Sequence, residues 1–239
     1  MIQICHLYPE ILDIFGDNGN VTAFEKRCLW RDIPFFTERI GLGEEVDFTK
    51  YHAIFLGGGT LREQNLIRSE LLKNRDSIKD AVEDGVVMLA IDSGFQLLGG
   101  YYYDENNEKL SGLGILDCYT QIKGNRLVGY VAVETELTGE QYKMVGFANH
   151  SGETFINGAP LGQVLAGVGN NSKDDSEGMR YKNVFCSYLH GPLLPVNTRL
   201  TDTLIELAVK KSGHAYEIKP LNDDFEDRAR KAMLKRIDV

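Results

Sequence analysis

Two short apolar runs, Ala53-Ile54-Phe55-Leu56 and Val86-Val87-Met88-Leu89-Ala90-Ile91, each stop abruptly at small residues, Gly57-Gly58-Gly59 after the first and Asp92-Ser93-Gly94 after the second. Unbroken apolar runs of this length are what a strand needs when both of its faces are covered, as in a parallel sheet. Between them, Leu61 to Asp84 is charged, with apolar residues at Leu66, Ile67, Leu71, Leu72, Ile78 and Val82. That spacing predicts one amphipathic helix or two, closed by Gly85. Upstream, Ile2 to Tyr8 reads as a first strand, and Gly16-Asp17-Asn18-Gly19-Asn20 supplies turn residues and an N-cap for a helix from Val21 to Trp30. Pro34 ends that pattern, and a second strand follows from Phe35 to Ile40. Strands alternating with helices predict an α/β fold with a doubly wound, mostly parallel sheet.

The second half has a different texture. From Tyr101 to Leu189 glycines are frequent and short β-rich runs recur, at Leu127 to Val133, Met144 to Phe147, Val164 to Val168 and Val184 to Leu189. These predict added β-hairpins, with the polar stretch Asn170 to Gly178 as a surface loop or hairpin tip. Helices from about Asn197 to Lys211 and from about Asp223 to Arg236 finish the chain, the last of them solvent-facing. No repeat or linker interrupts residues 1–239, so a single domain is expected.

A net charge of −9 repels phosphates at long range, which argues against nucleic acid or an anionic membrane surface as the main partner. No apolar run approaches the roughly 20 residues needed to span a bilayer, and the start lacks a basic region followed by an apolar stretch and a cleavage site. The expectation is a cytoplasmic protein without membrane insertion. Cys5, Cys28, Cys118 and Cys186 are widely spread, without a C-x-x-C pair or His-rich spacing, so they read as core thiols, and neither disulfides nor a metal site is expected.

Leu89 to Gly99 carries the chemistry. An apolar strand running into a tight turn and then a helix exposes one side chain on a sharp elbow and points the following N–H groups at a site where an oxyanion can form. By position that side chain is Asp92, although an aspartate before Ser-Gly can also simply cap the helix.

The elbow resembles that of the class I glutamine amidotransferases, which reads small-x-Cys-x-Gly-x-Gln; Ala90, Gly94 and Gln96 fit, and Asp92 stands where the cysteine would be. Within that family the likeness is to the cobyric-acid-synthase-like branch, in particular to the glutaminase subunits of lipid II isoglutaminyl synthases. It extends over nearly the whole chain through Gly16 to Asn20, Gly57 to Gln64, Gly94 to Gly99, Gly112 to Leu116, Asn125 to Gly129, Gly146 to His150 and Tyr188 to Pro195, in family order. The resemblance implies a flavodoxin-like fold and ammonia release from L-glutamine. It also implies a heterodimer with an ATP-dependent Mur-ligase-type subunit that amidates D-glutamate of lipid II in peptidoglycan synthesis. ATP and metal would belong to that partner, because this chain has no G-x-x-x-x-G-K-[ST] loop, and no cofactor is expected here. Residue by residue, it gives Asp92 the nucleophile's position and His190 the proton-transfer role. Gly58 and Ser93 become backbone oxyanion donors, Gln96 a contact to bound glutamine, and Arg126 the partner of its α-carboxylate.

Two departures matter. Position 192 is proline, so the His-x-Glu pattern of many relatives is absent and a carboxylate from elsewhere in the chain, or from a partner, has to orient His190. And the thiol is gone: a carboxylate attacking an amide would have to form an anhydride, far less accessible than a thioester, so hydrolysis by the family route is not expected. Asp92 is expected within hydrogen-bond reach of His190, or one water away. Two alternatives to an amidotransferase remain open: a non-catalytic subunit that binds glutamine or stabilises its ligase, and a corrinoid-amidating subunit.

Overall fold

The two apolar runs lie side by side at the centre of a parallel sheet in the computed structural model, which describes residues 1–104, 106–122 and 125–239, with 123 and 124 counted only as part of the strand through them. In chain order the elements are β1 (Ile2–Leu7), α1 (Asn18–Leu29), β2 (Phe35–Ile40), β3 (Ala53–Leu56), α2 (Leu61–Lys73), α3 (Arg75–Glu83), β4 (Val87–Ile91), α4 (Ser93–Leu98), β5 (Tyr101–Tyr103), β6 (Lys109–Ser111), β7 (Cys118–Leu137), β8 (Glu140–Ile156), β9 (Gly162–Ala166), β10 (Ser176–Glu177), β11 (Met179–Tyr181), β12 (Val184–Ser187), β13 (Leu189–His190), α5 (Leu193–Val196), α6 (Thr198–Lys211) and α7 (Asp224–Arg236). The main sheet runs β11-β12-β4-β3-β1-β2, parallel throughout except for the antiparallel edge pair of β11 with β12. Five parallel strands with β1 between β2 and β3 make the flavodoxin-like order, and loops at their carboxyl ends are where such folds bind ligands.

Burial explains the apolar runs. Alternate side chains feed opposite faces: Cys5, Leu7, Ile54, Leu56, Met88 and Ala90 pack with Ile67 and Leu71 of α2 and Ile78 and Val82 of α3. Ile2, Ile4, Ala53, Phe55, Val87 and Leu89 pack with Phe24 of α1 and Leu200, Leu204 and Ala208 of α6. That second core continues onto Val131 and Val133 of β7 and Met144 and Ala148 of β8, so the added β-structure shares a core with the main sheet. All four cysteines are buried and unpaired, as core thiols.

The second half differs from its sequence expectation in two ways. Two of its short runs, Leu127 to Val133 and Met144 to Phe147, are parts of one long antiparallel hairpin, β7 with β8, whose register shifts between Ile122 and Leu127; Val164 to Val168 overlaps β9, which flanks β7 as β5 does, while Val184 to Leu189 is no added hairpin, because β12 pairs in parallel with β4 in the main sheet and β13 pairs with β8. The polar stretch is a hairpin tip between β9 and β10, exposed from Ser172 to Asp175, but its ends are not surface: Asn170, Asn171, Ser176 and Glu177 are buried. Burial is tolerated because Asn170 closes on Gly178 through both its amide atoms (2.8 and 2.7 Å), and Asn171 reaches the Thr154 carbonyl at 3.0 Å. The charged helix α7 behaves as expected, burying only Leu234. The helical expectation for 61–84 resolves into two helices broken at Asn74, and α1 begins at Asn18, earlier than expected. Among the described residues no helix is long and apolar enough to cross a membrane.

Candidate active site

Four carboxyl-end junctions of the main sheet meet at one place. β4 delivers Asp92, at φ 49° and ψ −110°. For a residue with a Cβ that backbone is strained, at a cost of about 1–3 kcal/mol, and the sharp elbow predicted from Leu89 to Gly99 is what needs it. The Asp92 carboxylate is buried. Burial is the main cause that pushes its carboxyl up to about 6; Asp17 adds to the shift, while His190, the Ser93 N–H and Arg126 oppose it.

His190 follows β12 and the break at Tyr188. Glu177 pins that break, its Oε1 accepting from the Ser187 hydroxyl (2.9 Å) and the Tyr188 N–H (2.7 Å). Burial pushes the Glu177 carboxyl up to about 7. The imidazole Nδ1 lies 3.2 Å from Asp17 Oδ1, and the other Asp17 oxygen accepts the Gly58 N–H at 2.8 Å. Asp17 is therefore the orienting carboxylate that the His-x-Glu pattern lacks, and it comes from this chain. In the sequence Asp17 looks like a turn residue or cap; it occupies the N-cap position of α1, but its side chain makes no cap bond and turns to the site instead. The signal was present in an aspartate within a glycine-rich loop after β1, but nothing in the sequence shows contact with a residue so far along the chain.

Asp92 is expected within hydrogen-bond reach of His190 or one water away; both stand beside Gly58, and among the described residues no direct hydrogen bond joins them. The ring bonds Asp17, and among the described residues no group bonds Nε2. Asp92 is coupled to the ring by charge. Burial alone would lower the His190 pKa, but the Asp17 hydrogen bond, the Asp17 charge, Asp92 and Glu177 outweigh it and raise it. Phe15 packs on the ring, with centroids 4.4 Å apart.

Gly58 is tightly enclosed: a Cβ there would sit 3.0 Å from Asp17 Oδ2, 3.0 Å from Asp92 Cβ and 3.2 Å from His190 Cε1. Only glycine lets the three groups approach one another so closely. Of the two expected oxyanion donors, the Gly58 N–H is held by Asp17. The Ser93 hydroxyl, meanwhile, accepts the Gly59 N–H at 2.8 Å, which ties the glycine loop to the elbow.

Asp92, Ser93, Gln96 and Arg126 line one cleft of about 690 Å³, whereas Gly58 and His190 stand beside Asp92 without lining it. Gln96 accepts from Gln64 Nε2 at 3.2 Å. Arg126, on the exposed rim, donates through Nε to Asn149 Oδ1 (2.5 Å) and through Nη2 to the Asn149 carbonyl (3.3 Å). Cys186 is fully buried, and burial raises its pKa well above the ordinary thiol range, so it offers no substitute nucleophile.

A flavodoxin-like sheet with an elbow after β4, a carboxylate-held histidine after β12 and a glycine loop after β3 is the framework of a class I amidotransferase domain, here with a buried carboxylate, Asp92, on the elbow. The chain belongs to the CobB/CobQ-like glutamine amidotransferase family, whose profile matches residues 3–198. It is 39% identical over 235 residues to subunit GatD of the glutamine-hydrolysing lipid II isoglutaminyl synthase of Staphylococcus aureus, covering 98% of this chain and 96% of that one. To the GatD subunit of Streptococcus pneumoniae it is 38% identical over 213 residues, covering 88% of this chain and 81% of the relative. Among solved structures, a chain of the PurLQS complex of Thermotoga maritima shares the fold, with a TM-score of 0.61 at 18% identity over 86% of this chain and 98% of that chain.

Proposed function

We propose that this chain is the amidotransferase subunit of a lipid II isoglutaminyl synthase-type complex, and that it does not hydrolyse glutamine. In this reading it forms one domain and works in the cytosol as a heterodimer with a Mur-ligase-type subunit, which holds ATP and amidates D-glutamate of lipid II. Likeness to two GatD subunits over most of the chain supports the pathway. The idle elbow rests on one observation: a buried carboxylate, Asp92, stands at the elbow where a thiol would have to attack, and the Gly58 and Gly59 N–H groups beside it are bonded by Asp17 and by the Ser93 hydroxyl. An amide there would find no thiolate, and the Gly58 donor is already held. Asp17, His190 and Asp92 form a carboxylate–imidazole–carboxylate group with no thiol for the ring to activate.

The partner would then draw on free ammonia. The test is to reconstitute the chain with its ATP-using subunit and compare nitrogen donors. Amidation with ammonium and none with glutamine is the expected outcome. Comparable rates with the two donors would contradict the proposal.

A further inference from the structure

We infer that the buried ends of the stretch 170–178 are the positioning device of His190: Glu177, acting with Ser187, fixes the break between β12 and β13 that sets the ring against Asp17 and the elbow. At that break the chain leaves one sheet for the other, since β12 pairs in parallel with β4 while β13 pairs with β8. A chain that changes ladders leaves buried N–H groups behind, and each of them needs a new acceptor. Side chains supply the acceptors here. The Tyr188 N–H donates to Glu177 Oε1 at 2.7 Å and the Leu189 N–H to the Ser187 hydroxyl at 3.0 Å, while that hydroxyl donates in turn to Glu177 Oε1 at 2.9 Å. The Ser187 carbonyl also accepts the Asp92 N–H at 3.0 Å, so the same residue ties the break to the elbow. His190 follows directly, with Nδ1 3.2 Å from Asp17 Oδ1.

Glu177 is itself held. Asn170 bonds both backbone groups of Gly178, its Oδ1 accepting the N–H at 2.7 Å and its Nδ2 donating to the carbonyl at 2.8 Å. Gly178 sits at φ 62°, and a Cβ there would lie 2.0 Å from the Cys186 carbonyl oxygen, so the turn after Glu177 admits only glycine. Tyr188 is fixed at its far end as well, its hydroxyl bonded to that of Thr154 at 2.5 Å and its ring stacked on His150. Glu177 does not line the cleft, so it acts through the backbone as a positioning residue. Both of its bonds to the break use Oε1, whereas Oε2 is buried with no hydrogen-bond partner among the described residues. What the break needs from residue 177 is therefore an acceptor at one place, which a neutral amide also supplies.

Nuclear magnetic resonance of the full chain with labelled histidine and phenylalanine tests this through the contact of the His190 and Phe15 rings, whose centroids lie 4.4 Å apart. Glu177→Ala should lose that contact and shift the His190 ring signals at temperatures where the variant is fully folded. Glu177→Gln, which keeps an oxygen in the place of Oε1, should restore both. Ser187→Ala removes the hydroxyl between Glu177 and the Leu189 N–H and should displace the ring in the same sense; it decides alone if Glu177→Ala does not fold. A ring contact of parental strength in the folded alanine variants would overturn the inference, because Glu177 would then add stability only. A displacement that Glu177→Gln fails to relieve would overturn it too, by assigning the effect to the Glu177 charge that acts on the ring. A kinetic arm rests on the proposed function: with the thiol restored by Asp92→Cys and Ser93→Gly, adding Glu177→Ala should lower kcat roughly tenfold or more and leave KM within about twofold, since a misplacement of about 1 Å can cost about a hundredfold. An unchanged kcat would count against the positioning role, whereas a thiol-restored parent without activity would count against the reading of the elbow, so the two failures are told apart.

Discussion

Two carboxylates flank one imidazole at the elbow and play different parts: Asp17 bonds the ring, and Asp92 acts on it through charge alone. Asp17→Asn should therefore lower the His190 pKa more than Asp92→Asn does, which NMR titration of the ring in the three proteins will measure; the reverse order would mean that the ring faces Asp92. The sign of the pH dependence follows from the same groups. The His190 pKa is raised from 6.5, so its contribution to stability is complete below 6.5 and is lost as pH rises through the higher folded value. Asp92 goes from 3.8 to about 6, so its contribution is complete below 3.8 and is lost as pH rises through about 6. Both contributions fall with rising pH, and Asp92→Asn should flatten the lower part of that fall in urea denaturation profiles taken across the range. A profile unchanged by Asp92→Asn would contradict the raised Asp92 pKa.

His190 is held in place by the pairing of β13 with β8, and that pairing depends on close approach. A Cβ on Gly146 would lie 2.7 Å from Leu189 Cβ, so Gly146→Ala has to push β13 away. A loss of about 1–3 kcal/mol in urea denaturation is expected, together with a displaced His190 ring signal; an unchanged midpoint and ring signal would show that β13 does not position the ring. Elements whose burial is written in a single run were legible beforehand: β3 and β4 lie within the unbroken apolar stretches, because strands covered on both faces need nothing polar. The elbow was legible for the same reason, as an apolar strand meeting small residues. Elements held by distant polar partners were not. Asn170 to Glu177 looks solvated until Gly178, Thr154 and Tyr188 are brought against it, and Asp17 looks like a cap until His190 arrives from the other end of the chain. The β7–β8 hairpin read as separate short runs because glycines and the register shift interrupt its pattern, while cross-strand pairing carries it through.

At the scale of the whole molecule, Arg27 of α1 fastens α1 to the last two helices. It bonds both Asp202 oxygens at 2.7 Å and Asp223, just before α7, at 2.6 and 3.0 Å, while Arg31 adds a bond to Asp202 at 2.6 Å. With the Arg27 side chain only 4% exposed, Arg27→Ala leaves two carboxylates without their main partner and should cost about 2–3 kcal/mol. Because the main sheet and the β7–β8 hairpin share one core, that loss should appear as a single earlier transition in both circular dichroism and tyrosine fluorescence. Two separated transitions would mean that the halves fold independently. In the proposed function, an amidotransferase framework that lacks only its thiol is idle at one elbow. The most direct test is glutamate release from glutamine by the unaltered chain and by the Asp92→Cys, Ser93→Gly double variant, each with and without the ligase subunit. The account predicts no release above background from the unaltered chain and measurable release from the double variant, in which the thiol returns and Gly59 loses its tie to the Ser93 hydroxyl. Glutamate release by the unaltered chain would contradict it.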